Sequence, residues 1–302
     1  MSHQDASIKS ITFALLANFG IAITKTVAAI ITGSGSMLAE SIHSFADCGN
    51  QGLLFLGMRA AQKDPDTKHP LGYGKAIYFW SFVVALILFS MGGMFSIYEG
   101  IHKMHSPEAI RNPIIAIVVL TLSMILEGAS LYGCINQINA LGRKENMWKW
   151  FQKSRKSELV IVLGEDIAAL LGLFFALIAV VLTLVTGNPL YDAMGSIVIG
   201  MLLVVISFFL AIKIKGLLIG QSADEETTAQ IRTFLENRPE IEQVLNLITL
   251  QLGPQIMVAV KAKMAKTDST EQLIANINHC EAALKKSNAD IKWSFFEPDN
   301  MD

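Results

Sequence analysis

Six runs of apolar residues dominate this chain, at about 8–32, 37–61, 76–103, 112–137, 157–186 and 189–213. Each approaches or exceeds the roughly 20 residues an α-helix needs to cross about 30 Å of hydrocarbon. The composition agrees with six transmembrane helices. Hydrophobic residues make up 52% of the 302 residues and charged residues 17%, where a soluble domain carries nearer 25% charged. A formal net charge of -2 gives no reason to expect a nucleic-acid partner. The natural partner of such a chain is the lipid bilayer.

The links between the runs alternate in charge. Gly33-Ser34-Gly35-Ser36 and Gly187-Asn188-Pro189 carry no Lys or Arg. The link between spans two and three carries Arg59, Lys63, Lys68 and Lys75, and that between spans four and five carries Arg143, Lys144, Lys149, Lys153, Arg155 and Lys156. Lys213 and Lys215 follow span six. The positive-inside rule then places both termini and both basic links in the cytoplasm, with Lys103 and Arg111 as the minor exceptions. Met1 to Ser10 is short and polar and reads as neither a secretory signal nor a transit peptide. Cys48, Cys134 and Cys280 lie far apart and form no CxxC pair, so reduced thiols are expected.

The expected organisation is a six-helix transport domain over residues 1–215 and a small cytoplasmic α+β domain over 216–302. The tail changes character after Gly220. Asp224 to Asn237 reads as a helix, and Val244 to Leu252 as a loosely alternating strand. Gly253-Pro254 is a turn, Ile256 to Lys263 a half-buried strand, Ser269 to Lys286 a helix with its N-cap at Asp268 or Ser269, and Ile291 to Phe296 a last strand. So small a domain is short of core and can be steadied by dimerisation.

Span two carries Glu40, His43 and Asp47 on one helical stripe. Imidazole and carboxylate together suit zinc and tolerate manganese, iron or cobalt. A His–Asp hydrogen bond tying helices together is the competing reading, but ionisable groups at membrane depth are costly without a purpose. Span five offers Glu165 and Asp166. Adjacent residues point about 100° apart on a helix, so both serve one ion only if it lies between their directions; otherwise one binds while the other pairs, for instance with Lys25. Glu127 and Asp192 are weaker candidates, Asp192 reading rather as a helix-start residue. Lys25 snorkels or pairs. In the basic link, Asp66 and His69 could hold a secondary metal or simply be solvated.

Taken in order, these segments resemble the cation diffusion facilitator family of divalent metal transporters. Ser36 to Asp47 resembles the family's span-two pattern in its HxxxD form. His69-Pro70-Leu71-Gly72-Tyr73-Gly74-Lys75 is similar to its HxxGHGK link, Tyr191-Asp192-Ala193 to its span-six opening, and Leu217-Leu218 to Asp224 to its linker. The resemblance implies a ferredoxin-like cytoplasmic domain and a homodimer. It also implies proton-coupled export of zinc or a similar ion by alternating access, with no enzymatic activity and no organic cofactor. His43 and Asp47 carry over as ligands, and Asp166 matches the second span-five ligand. Val162 stands where the first would fall, and Glu165 is the candidate replacement. The Glu165-Asp166 pair is similar to the branch containing the ninth vertebrate zinc transporter. Tyr73 replaces the second His of the link, the tail holds His279 alone, and Ile219-Gly220-Gln221 offers no acid to pair with Lys75.

The expected function is therefore zinc export against proton entry, in a bacterial inner membrane rather than an organelle. His43 is the coupling group: its reference pKa is about 6.5, and protonation removes the lone pair that zinc needs. Rival expectations are export of manganese, iron or cobalt, and a non-transporting metal sensor or scaffold.

Overall fold

A computed structural model describes residues 3–140 and 145–301, with side chains from Asn18 onward. Arg143 and Lys144 of the basic link lie outside the described residues. The chain divides into two compact units. One comprises Met1–Leu56, Trp80–Asn146 and Glu158–Lys213, and the other Gly57–Phe79, Met147–Ser157 and Ile214–Asp302.

The helices are α1 (His3–Thr32), α2 (Gly35–Ala61), α3 (Ala76–Ile87), α4 (Phe95–His105), α5 (Pro113–Ala140), α6 (Met147–Lys153), α7 (Ser157–Thr186) and α8 (Leu190–Ile219). A π-helical stretch, Leu88–Met94, joins α3 to α4. Among the described residues four helices are long and apolar enough to cross a membrane: Ala76–His105, α5, α7 and α8. In α1 the described apolar stretch is Asn18–Thr32. Helix α2 has 27 residues, enough to span, but its polar stripe lowers its mean hydropathy. Ile114, Leu122, Ile125, Phe174 and Phe208 are exposed along these helices, an outward apolar surface that suits lipid.

In the first unit the short links are true turns. Gly33 and Gly187 adopt positive φ (65° and 70°), the left-handed conformation that ends helices and costs glycine nothing. Asn188 caps α8 by accepting from the Leu190 amide at 3.0 Å. Asp192 stands in the first turn of its own helix, as expected, and also serves another. Its carboxylate accepts from the Gly35 amide at 2.5 Å, the Ser36 amide at 3.2 Å, and the Ser34 and Ser36 hydroxyls at 2.6 Å each. An acid on α8 thus caps α2, satisfying amides that have no partner inside their own helix. Lys103 joins the cluster, donating to the Gly33 carbonyl and lying 4.0 Å from Asp192.

Gly93 and Gly100 let Ala76–His105 approach α8 closely. A Cβ at Gly100 would sit 2.8 Å from the Ala193 carbonyl oxygen, and one at Gly200 would sit 2.7 Å from the Gly93 carbonyl oxygen. The glycine pair at 92–93 thus combines a close helix approach at Gly93 with a place in the π-helical stretch.

The second unit contains α9 (Glu225–Glu236), β1 (Ile241–Leu252), β2 (Gln255–Met264), α10 (Thr270–Ser287) and β3 (Ile291–Pro298). The sheet order is β1-β2-β3, with β1 and β2 antiparallel and β2 and β3 parallel. Ile256, Val258, Val260 and Ala262 of β2 are buried, and they cluster with Ile231, Leu235, Cys280 and Leu284 from the two helices. Asp224 caps α9 and Ser269 caps α10. Burial pushes the Cys280 thiol up from its ordinary value, which keeps it an inert core group. All three cysteines are free.

Two segments of the basic links, Gly57–Phe79 and Met147–Ser157, belong to this unit. The Tyr78 hydroxyl accepts from the Gly253 amide at 3.0 Å and lies 3.3 Å from the Gly253 carbonyl. Gly74 and Gly253 meet backbone to backbone, so that a Cβ on either would run into the other strand's carbonyl. Arg155 donates to the Gln221 side chain and the Ser222 carbonyl at 2.9 Å each. Gly74→Ala is expected to open this joint more than Tyr78→Phe, which removes hydrogen bonds worth about 1 kcal/mol each but keeps the ring. Faster amide exchange confined to the β1–β2 turn is the readout; equal protection in wild type and Gly74→Ala would contradict it.

Candidate functional site

The polar stripe on α2 continues beyond the expected three residues: Glu40, His43, Asp47 and Asn50 follow one helical face. Glu40, His43 and Asn50 are fully buried. Below His43, the stripe opens into a small cavity with about 50 Å³ of water-accessible space. One water needs about 10–15 Å³, so the space takes a few waters or one ion.

Helix α2 contributes Ser44, Asp47 and Gln51 to the wall, α5 contributes Glu127 and Ser130, and α7 contributes Val162, Glu165 and Asp166. Both acids of α7 face the cavity, because it lies between their directions. Val162 also lies on the wall, an apolar patch one turn from Glu165. Asn50 donates to Glu165 Oε1 at 2.6 Å, and the Ser130 hydroxyl lies 3.3 and 3.4 Å from the two Asp166 oxygens. These neutral donors orient the carboxylates without cancelling their charge.

His43 stands apart. It is absent from the cavity wall, and its Nδ1 lies 3.6 Å from Asp47 Oδ1. A Cβ at Gly92 in the π-helical stretch would lie 3.9 Å from the same nitrogen. Neither ring nitrogen has a hydrogen-bond partner among the described residues, nor has Asp47 Oδ1. Among the described residues no three His, Cys, Asp or Glu side chains converge closely enough to hold a metal ion. The four candidate residues are thus grouped as three acids around a cavity, with the imidazole one turn above.

The second constellation is built as a loop. Asp66 Oδ1 accepts from the Lys68 and His69 amides at 2.9 and 2.7 Å, and Oδ2 accepts from the Tyr73 hydroxyl at 2.6 Å. The Tyr73 hydroxyl and the His69 amide hold the Asp66 carboxyl below the usual carboxylate range. His69 Nδ1 is 3.4 Å from Asp66. The carboxylate that a metal would use is occupied in shaping the turn.

Residues 11–219 match the cation efflux transmembrane domain. The chain belongs to the cation efflux, or cation diffusion facilitator, family. Its members are transporters rather than enzymes, and the protein is an integral membrane protein. The chain is 36% identical over 231 residues to human "Proton-coupled zinc antiporter SLC30A9, mitochondrial", covering 76% of this chain and 41% of that protein. It is 32% identical over 250 residues to "Metal tolerance protein C4" of Arabidopsis thaliana, covering 82% and 55%. It is 28% identical over 216 residues to "Magnetosome protein MamB" of Magnetospira sp., covering 69% and 66%. The chain spans about two fifths of the length of the zinc antiporter it matches. The match places this member of the cation efflux family near the SLC30A9 branch, as the Glu165-Asp166 pair suggested.

Sequence reasoning ranked Glu127 low and passed over Asn50 and Ser130. Asn50 was legible as the next position on the Glu40–Asp47 stripe, and Ser130 lies one turn after Glu127. If Asn50 orients a ligand, Asn50→Ala is expected to weaken zinc binding about 10-fold, the lower end for loss of an outer-shell partner. Competition with a chromophoric chelator measures it, and an unchanged affinity would remove Asn50 from the site.

Proposed function

We propose that this protein exports a divalent cation, zinc foremost, in exchange for protons by alternating access through the Asp47–Glu165–Asp166 cavity. The observation that carries the reading is that cavity: three acids, with Glu127 beside them, set among apolar helices where charge is expensive unless used. Six spans with both termini cytoplasmic, a homodimer steadied by the ferredoxin-like tail, and a bacterial inner-membrane location complete the proposal. The charge alternation of the links and the small tail core support it. The printed name of the SLC30A9 relatives supports zinc and proton coupling. His43 completes the ligand set from one turn away when Asp47 turns toward it, and its protonation releases the ion.

The wall chemistry favours one alternative. Its donors are carboxylate, amide and hydroxyl oxygens, and oxygen-rich sites suit harder ions such as manganese. Reconstituted protein under an imposed pH gradient tests both readings. Gradient-driven zinc flux that manganese, iron and cobalt fail to suppress supports zinc. Metal flux indifferent to the gradient would overturn the coupling, and metal binding without any flux would favour a sensor or scaffold.

A further inference from the structure

Lys25, two turns before the end of α1, is completely buried. An ammonium withdrawn from water costs several kcal/mol unless well matched. Its match is partial. Nζ lies 2.7 Å from Ser44 Oγ and 3.3 Å from Glu40 Oε2. Glu40 Oε1 is buried and has no hydrogen-bond partner among the described residues, like both nitrogens of His43 one turn along. Gly172 of α7 leaves room for this carboxylate: a Cβ there would collide with Glu40 Oε1. Ser44, the nearest partner of Lys25, also walls the cavity. The ammonium lies within electrostatic range of Glu40, His43 and Asp47.

We propose that Lys25 is a tethered cation that occupies the Glu40 carboxylate and so keeps Glu40 from drawing His43 away from the cavity ion to hold a second divalent ion. Without the ammonium, a carboxylate and an imidazole at i and i+3 would present a donor pair that zinc accepts. The charge of Lys25 thereby limits the metal to the cavity below. A purely architectural ion pair would lose stability on removal of Lys25 but gain no metal. A tethered cation makes the further demand that its removal opens a metal site. This inference rests on the reading of the cavity as the metal site.

The experiment counts zinc per chain by equilibrium dialysis of the purified full chain and measures affinity by chelator competition. Lys25→Met is expected to bind one more zinc than wild type. Glu40→Gln leaves an unmatched ammonium beside the cavity and is expected to weaken zinc binding about tenfold or more, as an uncancelled like charge near a divalent ion would. Lys25→Met/Glu40→Gln is expected to restore the wild-type count and affinity. A folded Lys25→Met with an unchanged count would overturn the proposal. If Lys25→Met fails to fold, the comparison of Glu40→Gln with the double variant decides, and no recovery in the double variant overturns it. Asp47→Ala separates the two readings. It should remove the cavity ion from wild type while leaving one zinc in the Lys25→Met background; undiminished zinc binding in Asp47→Ala alone would sink the cavity reading itself.

Discussion

Asp47→Ala is expected to lower zinc flux in proteoliposomes by at least about 100-fold, since even outer-shell partners of a metal ligand are worth about 10–100-fold. Asp47 links the two halves of the proposed site. It lines the cavity with Glu165 and Asp166, and it is the carboxylate nearest His43, at 3.6 Å. Its removal takes a ligand from the cavity and also disconnects the imidazole. His43→Ala should act differently. The acid wall remains, so zinc binding persists with reduced affinity, while flux loses its dependence on pH. Equal losses of binding in the two variants would make His43 a full ligand in the resting state. Undiminished flux in Asp47→Ala would remove α2 from the mechanism.

The second large effect is expected from Asp192→Ala. Four donors from residues 34–36 converge on this buried carboxylate, and Lys103 stands beside it. Deleting it strands two amides of α2 and leaves a largely buried ammonium without its counter-charge. Removing one partner of a buried charged network costs about 3–5 kcal/mol, which corresponds to a fall in melting temperature on the order of 10 °C. Asp192→Asn keeps an acceptor oxygen and should lose less. Thermal unfolding in detergent, followed by near-ultraviolet circular dichroism, measures both. A melting temperature within 2–3 °C of wild type for Asp192→Ala would show that the cluster is not what holds the start of α2.

What could be read from the sequence divides along physical lines. Periodicity is local, so the helices and the strand alternation of Ile256 to Lys263 were visible in it. Capping by a neighbouring residue is also local, and Ser269 was one of two positions offered for the α10 cap. Asp192 does lie in the first turn of its own helix, as expected, but its second role was hidden because its partners lie 156 to 158 positions earlier. An Asp after Asn188-Pro189 looks like the cap of its own helix, and nothing nearby says that another helix needs it more. Helix α6 was hidden within a link read for its charge, although Trp148, Trp150 and Phe151 interrupt the lysines. At the site, the stripe on α2 was legible because one helix carries it. The place of Glu127 was not, because which face of an apolar helix turns inward depends on its neighbours. His43 stands outside the cavity lining, and sequence spacing does not report side-chain direction.

The joint between Gly74 and the Gly253 turn bears on how such chains can be recombined. Its two halves sit in segments that sequence alone would assign to different modules, with the Tyr78 hydroxyl reaching a turn 175 positions away. Neither glycine tolerates a side chain unless the opposite backbone retreats. The tail is therefore not a freely exchangeable cassette. A chimera carrying another family member's tail inherits a compatible seat only if the donor turn also brings a glycine to meet Gly74, so the two sites are bound to drift together or not at all.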